Sequence, residues 1–213
     1  MARKLKPLLR EHLDGLPAAC TGCAFWESAE TIERRCGSVC DRDRLRDWYA
    51  VVTTEWGECG RVALDDDGEV LGFVKYAPAG YFPQAATFPS RPDDPNAVLI
   101  TCLHIRDDAR DHGLGRLLVH AALRDLKGRG ERSVLSFACA SPSIDIGEMP
   151  MIGMKYLLSQ GFTVVRPDPA FPLMQLDLRA IASLAENLEA ILESLRIPLT
   201  SPARVPGPTI RAR

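Results

Sequence analysis

The chain has 213 residues, 26 of them Lys or Arg against 28 Asp or Glu, with a net charge of -2, 46% hydrophobic residues and 25% charged ones. These totals fit an ordinary globular domain with a short extension. They exclude a polycation built to coat nucleic acid, and no apolar run reaches the ~18 residues of a membrane helix.

Residues 1–21 are basic, contain Pro7 and Pro17, and read as an N-terminal arm. No apolar stretch follows the basic start, so the arm is not expected to be a secretory signal, and a cytoplasmic location is the default. Ala24-Phe25-Trp26 is a short strand-like run that starts a domain over 22–178. Charged residues 41–44 lead into Leu45, Trp48, Tyr49 and Val52, whose spacing predicts an amphipathic helix stopped by Gly57. Strands at 59–64 and 69–76 flank Asp65-Asp66-Asp67-Gly68, a hairpin signal. Residues 77–96 hold five prolines and three aromatics and read as a long loop.

Residues 97–105 are almost continuously apolar, the mark of a strand covered on both faces. A helix follows from Gly113, with Leu117, Leu118, Ala121, Ala122 and Leu126 on its apolar side, closed by Gly128 and Gly130. A strand at 133–140, a helix at 151–160, and strands at 162–165 and 173–178 complete the domain. Residues 179–197 are expected to form a C-terminal helix with Ile181, Leu184, Leu188, Ile191 and Leu195 on one stripe, serving either packing or homodimerisation. Residues 198–213, rich in proline, read as a disordered tail.

The informative segment is the turn between the 97–105 strand and its helix. Gly113 and Gly115 frame the helix start, where missing Cβ atoms let a ligand approach the backbone. Unpaired N–H groups and the positive end of the helix dipole favour phosphate there, and Arg110 and Arg116 add charge. The P-loop pattern is absent, and the dinucleotide fingerprint lacks its third glycine, since Leu118 stands there.

What remains, Arg110-x-x-Gly113-x-Gly115, resembles the signature of the GNAT superfamily of N-acetyltransferases, whose backbone amides grip the pyrophosphate of coenzyme A. The order of elements and Gly161-Phe162 after the last core helix are similar to that family as well. The resemblance implies an α/β fold (α+β): a three-layer sandwich with a mixed central sheet splayed around the cofactor and helices on both faces. It implies acetyl-CoA as co-substrate and direct transfer of the acetyl group to an amine, on a small molecule or a protein.

Carried onto this chain, the backbone of Leu103 and Ile105 would hold the pantetheine arm, and the turn Arg110, Asp111, His112, Gly113, Leu114, Gly115 and Arg116 would hold the pyrophosphate. Many relatives carry an acid tyrosine four residues before the helix-ending glycine. That position is Leu157 here, and Tyr156 is its neighbour. Tyr156 is the candidate acid and His104 the candidate base, with Glu55 and Glu58 as candidates to line the acceptor side.

Two other function classes stay open. A domain of this kind that holds an acyl-CoA without turnover would be a sensor. Cys20-x2-Cys23 and Cys36-x3-Cys40 have the spacing of a four-thiolate zinc site, which would suit a nucleic-acid adaptor. Against zinc, Trp26 and its neighbours belong to a core run and buried free cysteine is common. No metal is assigned on the sequence.

Overall fold

A computed structural model describes residues 4–29, 40–110, 112–140 and 151–179. Cys36, Asp111, the 180–195 helix and the tail expected from the sequence lie outside the described residues.

The strands are β1 Lys4–Pro7, β2 Gly60–Leu64, β3 Val70–Pro78, β4 Val98–Ile105, β5 Ser133–Cys139, β6 Ile152–Gly153, β7 Thr163–Arg166 and β8 Leu173–Asp177. They form one sheet in the order β1-β2-β3-β4-β5-β8-β7, with β6 beside β5. β4–β5 and β5–β6 are parallel and the other pairs antiparallel. Three helices pack on this sheet: α1 Arg42–Glu55, α2 Leu114–Gly128 and α3 Met154–Ser159.

Local chemistry explains the elements. Asp41 caps α1 by accepting from the Arg44 N–H at 2.9 Å. Trp56 and Gly57 close α1 by donating to the Val52 carbonyl. In the β2–β3 turn, Asp65 Oδ1 accepts from the backbone of Asp67 and Glu69 at 3.0 and 2.8 Å. On one sheet face α1 buries Leu45, Trp48, Tyr49 and Val52 together with Trp26, Phe82, Phe88 and Phe137. On the other, α2 buries Leu114, Leu117, Leu118 and Leu126 with Leu157 and Phe162 of the α3 region. The result is the expected mixed sheet with a layer on each face.

Three readings change. Residues 4–7 of the arm form the outermost strand, and Leu8, Leu13 and Leu16 behind it are buried in the α1-side core. Three bulky apolar residues in a polar stretch gave no periodic signal, yet burying them ties the arm down. Ala24-Phe25-Trp26 is a buried turn region and not a strand. The helix read over 151–160 begins as β6, so α3 is only six residues long. In the 77–96 loop, short 3-10 turns at Ala79–Tyr81 and Pro83–Thr87 bury Phe82 and Phe88.

One irregularity positions the site. β3 follows β4 along its length, but the register slips between Lys75↔Cys102 and Tyr76↔Ile100, leaving Thr101 as the extra residue of a bulge. β5 pairs with β4 only at Leu99↔Leu135 and Ile100↔Ser136. Beyond that point the β5 edge is taken by β6, at Ala138↔Ile152 and Cys139↔Gly153. Residues 101–105 of β4 therefore keep β3 on one edge and meet no strand on the other among the described residues.

Candidate active site

The open edge of β4 leads straight into the turn that starts α2. Gly113 is the N-cap residue with φ +72°, a left-handed conformation that side chains disfavour. With the chain turned there, the first N–H groups of α2 have no side-chain cap and point out of the helix end. Gly115 lies in the first turn. A Cβ built on it would stand 3.7 Å from the Tyr156 hydroxyl, 3.8 Å from Leu103 and 4.0 Å from Ile105. Leu103, Ile105, Gly115 and Tyr156 thus meet at the mouth of the splay.

The flanks of the turn are polar and open. Arg110 and Arg116 are exposed. Arg110 pairs with Asp107 at 2.9 Å and reaches the Ile105 carbonyl at 3.4 Å. His112 is exposed, with its ring against the Arg110 carbonyl. Leu114 is buried and anchors the turn in the α2-side core.

Tyr156 is held between α3 and α2. Its hydroxyl is buried and has no hydrogen-bond partner among the described residues. Burial pushes the phenol above the usual tyrosine range, against the opposing pull of Arg116. His120 Nδ1 and Gln160 Oε1 are likewise buried without a partner. Burial, and then the charge of Arg116, hold His120 below the usual histidine range. The pairs Arg116/His120 and Tyr156/Gln160 each span four residues, one helical turn. The seam between α2 and α3 is thus polar, with unsatisfied groups along it.

His104 is elsewhere. Side chains alternate along a strand, so His104 and Cys102 project to the face opposite Leu103 and Ile105. There the His104 ring stacks on Phe73, centroids 6.0 Å apart. It lines a cavity of about 20 Å³ together with Cys102, Lys75, Trp26, Cys23 and Leu13. The two catalytic candidates therefore stand on opposite faces of β4. Glu55 accepts from the Tyr81 hydroxyl at 2.7 Å, and Glu58 pairs with Arg61 at 2.8 Å, so both carboxylates are engaged by neighbours at the end of α1.

The sequence reading missed a buried ion pair on that face. Lys75 of β3 bonds Glu27 Oε1, with the two side chains 6% and 1% exposed. Lys75 Nζ also lies 5.1 Å from the Trp48 ring centroid and 5.9 Å from that of Phe82. Burial alone would lower the Lys75 ammonium, but Cys102 and Glu27 outweigh it and hold it above the usual lysine range. The available signal was a lysine in the middle of the apolar run Val70–Tyr76. Nothing in the sequence marked Glu27 as its partner.

A profile of the acetyltransferase (GNAT) family matches residues 25–145. The chain belongs to that family. The match begins at the Phe25-Trp26 turn and runs through the β4 splay and the α2 signature. A search of curated protein sequences finds no match. Among solved structures, a GNAT-like fold recurs at low identity. An N-acetyltransferase from Staphylococcus aureus Mu50 aligns with TM-score 0.56 and 14% identity over 84% of this chain and 99% of its own. PaiA N-acetyltransferase from Thermoplasma acidophilum, in complex with coenzyme A, aligns with TM-score 0.56 and 15% identity over 83% and 99%. YncA from Salmonella typhimurium, with its cofactor acetyl-CoA, aligns with TM-score 0.56 and 16% identity over 86% and 98%.

Among the described residues no group of three or more His, Cys, Asp or Glu side chains is placed to hold a metal ion. Cys20 is buried in the α1-side core and Cys40 is exposed, although Cys23 and Cys40 form a β-bridge. No helix among the described residues is long and apolar enough to cross a membrane.

Proposed function

We propose that this GNAT member transfers an acetyl group from acetyl-CoA directly to the nitrogen of an amine. One observation carries the reading. The edge of β4 at 101–105, which meets no strand on that side among the described residues, runs into a helix start without a side-chain cap, held open by Gly113 in a left-handed conformation.

The residues present fit the co-substrate. The first N–H groups of α2, with Arg110 and Arg116 beside them, supply donors and positive charge for a pyrophosphate. The Leu103 and Ile105 backbone offers peptide groups for the amides of the pantetheine arm. Gly115 leaves room between Leu103 and Tyr156. The thioester supplies the activated acetyl group. The protein's part is to align the attacking nitrogen with the acyl carbon and to place a backbone N–H of β4 where negative charge develops on the carbonyl oxygen. We assign the Tyr156 hydroxyl, buried, protonated and without a hydrogen-bond partner among the described residues, to give its proton to the departing sulfur. His104, on the other face, is assigned to the acceptor side and not to the leaving group.

The decisive experiment is calorimetric titration with coenzyme A of the wild type and Gly113→Glu. The wild type should bind. The variant, with a side chain and a negative charge in the turn, should lose at least a hundredfold in affinity while keeping its circular dichroism spectrum. Equal affinities would remove the site. Release of free coenzyme A with a panel of amines separates a transferase from a sensor, which would bind and never turn over.

A further inference from the structure

The cysteine spacing that suggested a zinc site has a different outcome in the fold. Cys23 and Cys40 face each other across an antiparallel bridge. The Asp41 N–H donates to the Gly22 carbonyl at 2.8 Å, one residue beyond each cysteine, so the two cysteines are a non-hydrogen-bonded pair. In such a pair the Cα atoms lie about 4.5 Å apart and both side chains leave the same face. That separation falls within the range of about 4.4–6.8 Å that a disulfide spans. The Cys40 thiol hangs over the contact: a Cβ built on Gly22 would stand 3.4 Å from its Sγ and 2.6 Å from Arg42 Cγ. Gly22 has φ +73°, so glycine is what lets the two chains come this close. Of the cysteines among the described residues, Cys40 alone is exposed and Cys23 is half-buried, while Cys20, Cys59, Cys102 and Cys139 are buried. The bridge is also a joint between elements. Asp41 caps α1, and Arg44 in its first turn donates to Ser28 Oγ at 3.0 Å. Cys23 lines the small cavity with Trp26, Lys75 and His104.

We infer that Cys23 and Cys40 are an oxidisable pair, which a hydroperoxide converts to a disulfide that clamps the start of α1 to the 20–28 segment. The exposed Cys40 thiolate attacks the peroxide, whose O–O bond breaks, and becomes a sulfenic acid while an alcohol or water leaves. The Cys23 thiolate then attacks the Cys40 sulfur. The S–S bond forms, and hydroxide departs and takes up a proton as water. Two thiols are oxidised and one peroxide is reduced, and neither acetyl-CoA nor an amine takes part. The bond is of the reversible kind. It lies at the surface, and the Cβ atoms of such a pair must draw in from about 4.5–5.5 Å to about 3.5–4.5 Å, a strain that leaves a disulfide open to reduction by a thiol.

The test treats the reduced full-length protein with hydrogen peroxide and reads it by peptide mass spectrometry and by melting temperature. Wild type should yield one dominant product, the Cys23 and Cys40 peptides joined with the loss of two hydrogens, in a chain that stays monomeric. Closing this ring should raise the melting temperature by about 5 °C or more, and dithiothreitol should undo both changes. Cys40→Ser, at an exposed position, should fold and show neither the joined peptides nor the rise. Cys36→Ser should show both, which separates Cys23 from the neighbouring cysteine as the partner of Cys40. Thiols left intact by peroxide overturn the inference, as does a disulfide from Cys40 to any other cysteine or to a second chain. Oxidation of Cys40 to the sulfinic acid without a crosslink overturns it as well, and so does a Cys23–Cys40 bond that leaves the melting temperature where it was.

Discussion

At the residue scale the clearest case is Tyr156. The family's position for an acid tyrosine falls on Leu157, one residue or about 100° around a helix from Tyr156, the candidate acid read from the sequence. α3 starts only after β6 and is six residues long, so Leu157 is the residue buried in the core while Tyr156 faces Gly115. Tyr156→Phe should lower kcat by about 10²-fold, the low end for a general acid since a thiolate leaves fairly well unaided, with coenzyme A affinity unchanged. Because burial raises its pKa, the hydroxyl stays protonated through pH 10, so no alkaline fall in kcat below that pH belongs to it. A loss under threefold in Tyr156→Phe would take it out of the mechanism. Cys59 gives a second test. Burial pushes its thiol from 9.0 up to about 12. A raised pKa means the folded state holds the proton more tightly, so this contribution is whole below pH 9 and is lost as pH climbs from 9 toward 12. It is worth at most about 4 kcal/mol. Urea titrations between pH 8 and 11 should show Cys59→Ala less stable at pH 8, with a flatter alkaline decline than wild type.

At the scale of elements, most of the layout was readable because it rests on periodicity. The apolar runs became β4 and β5, the Asp-Gly hairpin became β2–β3, and the stripe from Leu114 to Leu126 became α2. What stayed hidden depends on partners far along the chain. β1 exists because β2 offers it an edge some 55 residues later, from Lys4↔Leu64 to Pro7↔Arg61. The bulge at Thr101 is a matter of β4's register against β3, and no local residue type announces it. The Glu27–Lys75 pair spans 48 positions and was equally unreadable. The two signature glycines are not equivalent. Gly113→Ala forces a side chain into φ +72° and should cost about 1–2 kcal/mol in urea unfolding. At Gly115 a Cβ meets its neighbours at 3.7 Å and beyond, ordinary contact, so Gly115→Ala should change stability by less than about 0.5 kcal/mol. Equal losses would show that the turn is not where the strain lies.

At the scale of the whole molecule, a ligand seated in the splay binds the folded state alone. Coenzyme A at 100 times its dissociation constant should add about 2.7 kcal/mol, a rise of roughly 5–10 °C in melting temperature for a chain of this size. Gly113→Glu should abolish that rise. The splay also has a colloidal consequence. A strand edge left unpaired inside a sheet is a template for recruiting another chain, a hazard that proteins usually keep to their rims and blunt with charge. Here the edge at 101–105, which meets no strand on that side among the described residues, carries Cys102, Leu103 and Ile105 and lies where a charged residue would obstruct the cleft. The ligand-free protein should therefore be the more aggregation-prone form. In light scattering at 45 °C it should cloud within minutes, and saturating coenzyme A should suppress this by more than the shift in melting temperature explains. The co-substrate would then act as a pharmacological chaperone, the missing strand that keeps the protein from finding one in its neighbours.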